Sequence, residues 1–357
     1  TELGPKSAVN IGLWSRCYNH VKMAPRGRNL QTTRRSKNYR RTLLRAWKGL
    51  VAFAASCGKG DIVNVGVSAA SMNALLIDYI QQMYEQRPGA FLEAKSVILA
   101  VQYVFRHLKG HLRPAWDSIE SWSAEVAAQK RPPLPEYHMH LIVITARLRG
   151  LAAANSGQKH TARRYFAFSV ALEAAFYGLL RPREIKCLKQ GAVSLPRPGS
   201  VHDQFAVVRI DHAKNARFMG NSQFSVVRDS RVSQWLLWFL EHSAPFEFVW
   251  KGSMASFSHQ LKLICKELGL SQFRFTAGSA RAGGTTAFFM GGAAVSQIKF
   301  WGRWKNEASL QHYIQESVAM QIVSEVLPAQ ARYLHKLFQI GSFTLFPPLW
   351  PRHALIG

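Results

Sequence analysis

The sequence predicts a two-domain protein that is mainly α-helical and contains a small antiparallel β-sheet. Three observations support this fold class. A chain of 357 residues is long for a single domain. Apolar residues recur at intervals of three and four along most of its length, as they do on the buried face of a helix. Segments typical of strands are confined to one short central region, so the sheet is expected to be small.

The first part of the chain predicts a basic, flexible arm over residues 1–38 and a helical domain over residues 39–129. No acidic residue occurs between Leu3 and Gly60, and a helical apolar pattern starts near Tyr39. Basic side chains lie off this apolar face, where they are suited to contacts with phosphates. The candidate DNA-binding residues are Arg34, Arg35, Lys37, Arg40, Arg41 and Arg45.

Three further helices are predicted before a proline-rich linker. Ser68 can cap the first of them. The others cover residues 89–108 and 114–128, and residues 130–135 form a stiff, extended segment that cannot continue a helix. We therefore expect the domain boundary at this linker. The apolar face of the Ser68-capped helix consists of Leu75, Leu76, Tyr79, Ile80 and Met83.

The second domain is predicted over residues 136–340, followed by a tail over residues 341–357. It opens with a helical hairpin, and its second helix carries Glu173 in an otherwise apolar run, which indicates a buried helix. Strands are expected at residues 192–195, 205–210 and 223–227, with Lys214 on the turn between the last two. Helices are then expected at residues 230–241, where Asp229 is the cap, and at 256–268, 279–290, 294–301 and 306–317, with a longer helix ending near 338.

The charge of the chain indicates a polyanionic partner. There are 46 Lys and Arg residues against 20 Asp and Glu, a formal net charge of +26. Such an excess opposes compaction by self-repulsion unless an anion balances it. Charge alone leaves RNA or a membrane surface open. No membrane-spanning helix is predicted, because no run of about 18 uncharged apolar residues occurs.

Four stretches of the second domain carry candidate catalytic residues, and one of them is the turn between the last two predicted strands. Arg181 and Glu184 follow a Gly-Leu-Leu turn, and Arg281 precedes Trp304 by 23 residues. Tyr313 follows nine residues after Trp304. Taken singly, each has an ordinary interpretation as a surface arginine, a surface acid or a packing aromatic residue. The order and spacing of the set carry the signal.

In that order the residues resemble the catalytic domain of the tyrosine recombinases, the integrase and Cre-type family. The family pattern is Arg-x-x-Glu after a Gly-Leu turn, a hairpin Lys, His-x-x-Arg, and a His or Trp nine residues before the Tyr. The resemblance covers about residues 136–320, and the region 39–128 resembles the family's core-binding domain more loosely. The sequence departs from the pattern at Gly278, which stands where the family has its His.

The resemblance implies a mechanism and a partner. The Tyr313 hydroxyl would attack a phosphodiester of double-stranded DNA and form a covalent 3′-phosphotyrosine. Arg181, Arg281 and Trp304 would hold the phosphate oxygens, and Lys214 would protonate the leaving 5′-oxygen. Glu184 would orient these groups, and neither a metal nor another cofactor would be needed.

The resemblance also implies an assembly and a location. A homo-oligomer, a tetramer on DNA, is expected, as for the recombinase or integrase of a mobile element. The protein would be found with DNA, in the nucleus of a eukaryote or otherwise in the cytoplasm or nucleoid.

Gly278 leaves a second interpretation open, a catalytically impaired or domesticated recombinase that binds DNA without cutting it. Losing one transition-state donor costs about 3 kcal/mol. His312 and His212 are nearby imidazoles, but the family uses neither position. If the site were otherwise intact, Gly278→His would be expected to raise its rate. Two further alternatives are a helical RNA-binding protein with an accidental match and a type IB topoisomerase, which shares similar chemistry.

Overall fold

A computed structural model describes residues 37–60, 68–125, 131–196, 204–211, 213, 220, 222–241 and 243–348. The chain divides into two compact units, Thr1–Gln129 and Lys130–Gly357. The predicted site residues Arg34, Arg35 and Lys214 lie outside the described residues, and so does His212. Only the backbone of Lys37 is described.

The described part of the first unit consists mainly of helices. Helix α2 begins where the sequence predicts, because the Ser68 hydroxyl accepts a hydrogen bond from the Ser71 amide at 3.1 Å. All five residues of its predicted apolar face are buried. The helices are α1 (Lys37–Ser56), α2 (Ala69–Gln86), α3 (Phe91–Val104) and α4 (Arg113–Glu125), with 3-10 turns at Pro88–Ala90 and Arg106–Leu108.

The single helix predicted over residues 89–108 is divided, and that prediction was wrong in its bounds. A 3-10 turn that begins with Pro88 precedes α3, and Phe105 leaves the helical conformation at φ −106° and ψ 85°. The Phe105 ring instead packs edge-on against Trp47 of α1, with ring centroids 5.8 Å apart. Tertiary packing of one aromatic side chain thus accompanies the end of α3.

Helix α1 separates an apolar face from a basic one. Leu43, Trp47 and Leu50 are buried in the core of the first unit. Arg41 and Arg45 are exposed, and Arg40 is half-buried. None of these three arginines forms an ion pair with a described carboxylate, so their charge is available to an anion.

The second unit is built around a pair of helices, α5 (Glu136–Asn155) and α6 (Lys159–Tyr177). Helix α6 is buried from Phe166 to its end, which confirms the predicted buried helix. Its Glu173 pairs with Arg147 of α5 inside the core. The Arg147 guanidinium also lies 3.9 Å from the centroid of the Trp235 ring.

A three-stranded antiparallel sheet in the order β1-β2-β3 follows α6 and confirms the predicted fold class. Strand β1 (Val193–Ser194) pairs with β2 (Val207–Asp211), and β2 pairs with β3 (Ser222–Val226). Val208 of β2 lies opposite Val193 on one side and Ser225 on the other. The sheet is small and most of the described residues are helical, as the sequence predicts.

The other described residues of the second unit lie mainly in helices, 3-10 segments and turns. Asp229 caps α8 as predicted, because its carboxylate accepts a hydrogen bond from the Val232 amide at 3.0 Å. The helices are α7 (Pro182–Lys186), α8 (Ser230–Leu240), α9 (Met254–Glu267), α10 (Ala277–Met290), α11 (Val295–Trp301), α12 (Glu307–Gln311), α13 (Glu316–Ser324) and α14 (Pro328–Gly341), with 3-10 segments at Gln190–Ala192, Ser271–Phe273 and Ser342–Leu345.

Two helix predictions near Tyr313 were wrong. The helix expected over residues 306–317 ends at Gln311, and Tyr313 lies in the turn that follows. The longer helix expected to end near residue 338 is interrupted between Ser324 and Pro328. Proline lacks an amide hydrogen and favours the first turn of a helix, so Pro328 starts α14 rather than continuing α13.

The predicted tail begins too early, because residues 342–345 belong to the core of the second unit. The Trp235 indole donates to the Leu345 carbonyl at 2.9 Å, and Arg147 donates to the Thr344 carbonyl at 2.9 Å. Both Thr344 and Leu345 are buried. The described chain therefore remains packed beyond the boundary expected at residue 340.

Candidate active site

Arg181 and Glu184 are joined at the start of α7. Arg181 is the N-cap residue and Pro182 occupies the first turn, where its missing amide hydrogen costs nothing. The Glu184 carboxylate accepts hydrogen bonds from the Arg181 amide and from its Nη1, both at 2.8 Å. The predicted pair is therefore a local unit, with the Arg181 side chain 17% exposed.

Glu184 has a second cationic partner, Arg303, which the sequence analysis missed. The buried Arg303 donates from Nη2 to Glu184 at 2.7 Å. Its backbone adopts the left-handed conformation, with φ 59°. Burial works to raise the pKa of Glu184, but the charges of Arg303 and Arg181 outweigh it, and the pKa lies below its usual range. One carboxylate thus serves two guanidinium groups.

Arg281 lies in helix α10 and is only 2% exposed. Its guanidinium donates to the Leu179 carbonyl and, at 2.5 Å, to the Gly302 carbonyl. Its Nε has no hydrogen-bond partner among the described residues. Burial, followed by repulsion from Arg181 and Arg303, lowers the pKa of Arg281 to about 9. It is still a cation at neutral pH.

The side chains of Trp304 and Tyr313 pack close to Arg281. The Arg281 guanidinium lies 4.1 Å from the Trp304 ring centroid and 5.5 Å from that of Tyr313. The two rings are themselves 5.1 Å apart and meet at 62°. A Cβ at Gly302 would overlap the indole ring of Trp304, so only glycine permits this placement.

The backbone of Tyr313 is held by α10. The Thr286 hydroxyl donates to the Tyr313 carbonyl at 3.0 Å and accepts from the Gln315 amide at 3.2 Å. The Tyr313 amide donates to the Leu310 carbonyl at 2.7 Å. The phenol is therefore carried on a fixed turn and is half-buried.

A cavity of about 680 Å³ collects these residues from distant parts of the second unit. Arg181, Trp304, Tyr313 and Gly278 all contribute to its wall. Arg281 is not among the described lining residues, although its guanidinium lies against the rings of Trp304 and Tyr313. No acidic residue lines the cavity within the described part of the chain, so an anion would meet only positive charge. The remaining lining residues are Arg131, Ala282, Lys305, Asn306, Ser309, His312 and Gln315.

Several residues of the site carried no sequence signal. Thr286 and Gln315 act through contacts between segments distant in the chain. Arg303 adjoins Trp304, but its role depends on a left-handed backbone that its side chain does not predict. Arg131 belongs to the segment interpreted only as a linker. Arg40, Arg41 and Arg45 lie in the first unit.

The described residues show neither a metal site nor a membrane span. No group of three His, Cys, Asp or Glu side chains is placed to hold a metal ion there. No described helix combines the length and the apolar character that a membrane span requires.

Neither a family model nor a curated protein matches the sequence. Among solved structures, a lambda integrase dimer bound to a COC′ core site is similar at 14% identity and a TM-score of 0.48, over 86% of this chain and 77% of that one. XerH site-specific recombinase bound to difH substrate has 12% identity and a TM-score of 0.43, over 87% and 92%. XerA recombinase has 10% identity and a TM-score of 0.37, over 80% and 99%. Similarity at this level assigns no family, so we infer function from the residues of the site.

Proposed function

We propose that the protein cleaves and rejoins DNA strands through a covalent 3′-phosphotyrosine on Tyr313, as a site-specific recombinase or integrase of a mobile element. One observation carries the proposal. A single cavity is lined by Tyr313, Trp304 and Arg181, and the Arg281 guanidinium lies 4.1 Å from the Trp304 ring centroid. A nucleophile among fixed cations and a neutral donor is suited to transfer of a phosphoryl group.

The reaction divides one transfer into two reversible steps. The Tyr313 oxygen forms a bond to the scissile phosphorus while its proton leaves to solvent. The bond from phosphorus to the 5′-oxygen breaks, and Lys214 supplies the proton that this oxygen takes up. A 5′-hydroxyl, from the same or another strand, then attacks the phosphotyrosine and releases Tyr313.

Arg181, Trp304 and Arg281 have separate roles in this scheme. Arg181 faces the cavity and donates to a non-bridging phosphate oxygen, while Glu184 fixes its position. Trp304 can donate its single indole N–H to a second oxygen. Arg281 contributes its charge from beside the rings, where low exposure limits screening by water.

The basic face of α1 extends the proposal to DNA binding. Arg40, Arg41 and Arg45 would contact phosphates away from the cavity. Each phosphate that the protein neutralises makes the slope of log K against log salt steeper by about 0.9. Removing these three side chains together should therefore reduce the slope by about 2 to 3.

The proposal is tested with duplexes recovered from a random library by binding to the native protein. Each recovered duplex is then prepared as a series with a single nick at successive positions, so that cleavage just before the nick releases a short fragment bearing the 5′-hydroxyl, which diffuses away. We expect a covalent protein–DNA adduct that survives denaturation with the native chain. Tyr313→Phe should bind the same duplex and form no adduct. An adduct that persists in Tyr313→Phe would contradict the proposal.

Gly278 favours a second candidate, a DNA-binding protein that no longer cuts. It predicts salt-sensitive binding to the recovered duplexes without an adduct at any nick position. Strand joining between two duplexes, rather than relaxation of one, would separate a recombinase from a type IB topoisomerase.

A further inference from the structure

The proline-rich segment at residues 131–135 lies directly on the first turns of α10. The Leu134 amide donates to the Ser279 carbonyl at 3.0 Å. A Cβ at Gly283 would overlap the Leu134 carbonyl oxygen, so this glycine is required for so close an approach of two backbones. The segment is therefore packed against α10 and is not a linker free of contacts.

Gly278 lies on the same face of the same helix, and its missing side chain is replaced in space by that of Arg131. A Cβ at position 278 would lie 2.7 Å from Arg131 Nη1 and 3.2 Å from its Cδ. Real Cβ atoms essentially never show so short a contact, so the end of the Arg131 side chain would have to move to admit any side chain at 278. The guanidinium of Arg131 thus occupies the volume that a side chain at 278 would otherwise fill.

Arg131 is also fixed relative to the nucleophile. The largely buried Gln315 donates from Nε2 to the Arg131 carbonyl at 3.1 Å and to the His312 carbonyl at 3.3 Å. The backbone amide of Gln315 donates to the Thr286 hydroxyl, which in turn donates to the Tyr313 carbonyl. Pro132 and Pro133 restrict the backbone that follows. One hydrogen-bonded network therefore holds both Arg131 and Tyr313.

The charge of Arg131 is available to a ligand. Its side chain lines the cavity together with Arg181, Trp304 and Tyr313. The residue is exposed, and its guanidinium pairs with no carboxylate in the described part of the chain. A guanidinium beside a phosphate can donate two parallel hydrogen bonds.

We propose that Arg131 is a catalytic residue that donates to a non-bridging oxygen of the scissile phosphate from the position vacated by a side chain at Gly278. This inference rests on the proposed function. Arg131 forms and breaks no covalent bond in the step: the Tyr313 oxygen bonds to phosphorus, and the 5′-oxygen leaves. The absence of a side chain at Gly278 then leaves room for the permanently charged Arg131 guanidinium. It does not mean that the site has lost a hydrogen-bond donor to the phosphate.

The substitution has a chemical consequence. An imidazole titrates near pH 6.5, whereas a guanidinium remains charged across the physiological range. Arg131 cannot accept the phenol proton, so that proton passes to water. The contribution of this donor to the cleavage rate should therefore be independent of pH between 6 and 8.

The test measures the rate of adduct formation on the nicked duplexes used for Tyr313. Arg131→Ala should lower this rate about 100-fold, with an unchanged melting temperature because the side chain is exposed. Arg131→Lys should recover only part of the rate, since an ammonium lacks the planar fork. Lys262→Ala removes an exposed charge from α9, outside the cavity lining, and should change the rate less than twofold.

A reciprocal exchange distinguishes a donor from a merely structural contact. Gly278→His in the native chain should give no gain, because the imidazole and Arg131 compete for one volume. The double variant Arg131→Ala with Gly278→His should be about tenfold or more faster than Arg131→Ala alone, and its rate should acquire a titration near pH 6.5.

The outcomes separate this inference from the proposed function. If the native protein forms no adduct, the proposed function is overturned and this inference with it. If the native protein forms a Tyr313-dependent adduct and Arg131→Ala forms it at the native rate, the proposed function stands and the role of Arg131 is overturned. A rate gain from Gly278→His that is equal with and without Arg131 would overturn it as well.

Discussion

Arg147 and Arg281 are both deeply buried in the second unit, yet their surroundings differ. Arg147 donates to Glu173, to the Ser169 hydroxyl and to the Thr344 carbonyl, so its charge has a partner and its nitrogens have acceptors. Arg281 donates only to two backbone carbonyls, its Nε is unpaired among the described residues, and it forms no ion pair with a described carboxylate.

The difference indicates which cation stabilises the fold and which serves a ligand. Around Arg147 the charge is balanced one to one. Arg281, by contrast, lies near the guanidinium groups of Arg181 and Arg303 and forms no ion pair with a described carboxylate. A buried cation without a carboxylate partner is costly unless an anion balances it, and the surroundings of Arg281 in the described part of the chain therefore support the proposed phosphate site.

The largest effect on stability is expected from breaking the balanced pair. Arg147→Ala leaves the Glu173 carboxylate buried without a partner, which should lower the free energy of unfolding by about 3–5 kcal/mol. Urea denaturation measures this value. The double replacement of Arg147 and Glu173 by Met should cost much less, because no charge is then stranded. A loss below about 1 kcal/mol for Arg147→Ala would mean that the pair does not hold the core.

Replacing Arg281 by Ala should affect the rate of adduct formation more than the stability of the fold. Arg281→Ala should lower the rate of adduct formation at least about 100-fold, equivalent to about 3 kcal/mol of transition-state stabilisation. Its unfolding free energy should fall less than that of Arg147→Ala, since no carboxylate loses its only partner. Equal losses of stability in the two variants would remove the distinction between them. Arg281→Lys, which keeps the charge, provides the matched control.

Lowering the pH should reduce the free energy of unfolding by protonating Glu184, the carboxylate that pairs with Arg181 and Arg303. Its pKa is lower in the folded protein than the usual 4.5, so the folded state binds this proton less readily than the unfolded chain. The resulting stability is fully present above pH 4.5 and is lost as the pH falls through the lower folded value. Glu184→Gln should lower the unfolding free energy at pH 7 by about 2 kcal/mol, the range of a hydrogen bond to a charged group. This difference should shrink in urea titrations at lower pH, and a difference that grew toward low pH would contradict the assignment.

The smallest effect concerns the neutral donor. Trp304→Phe keeps an aromatic ring beside Tyr313 but loses the N–H, and the adduct rate should fall about tenfold, or about 1.4 kcal/mol. Trp304→His returns a donor and should recover part of that rate. If Trp304→Phe kept the native rate, the indole would serve only as packing.

Local signals in the sequence predicted much of this architecture. Ser68 and Asp229 cap their helices as expected, and Glu173 lies on a buried helix. Arg181, Trp304 and Tyr313 line one cavity, which their order in the chain anticipates. In each case the decisive contact is within one element or follows a known spacing.

Contacts between distant segments account for what was missed. Arg131 looked like part of a linker, and Gly278 looked like a loss, because nothing in either segment shows that they meet. Arg303 pairs with Glu184, which lies more than a hundred positions earlier in the chain, and its backbone is left-handed, which the sequence does not predict. Pro328 marks in the sequence the place where the longer predicted helix is interrupted.

The most direct test of the anion site at Tyr313 is the chemical identity of the residue that bears DNA. The adduct from a nicked duplex is digested with nuclease and protease, and the peptide that retains a nucleotide is sequenced by mass spectrometry. We expect a phosphodiester on Tyr313 and its absence in Tyr313→Phe. A nucleotide attached to any other side chain would contradict the account.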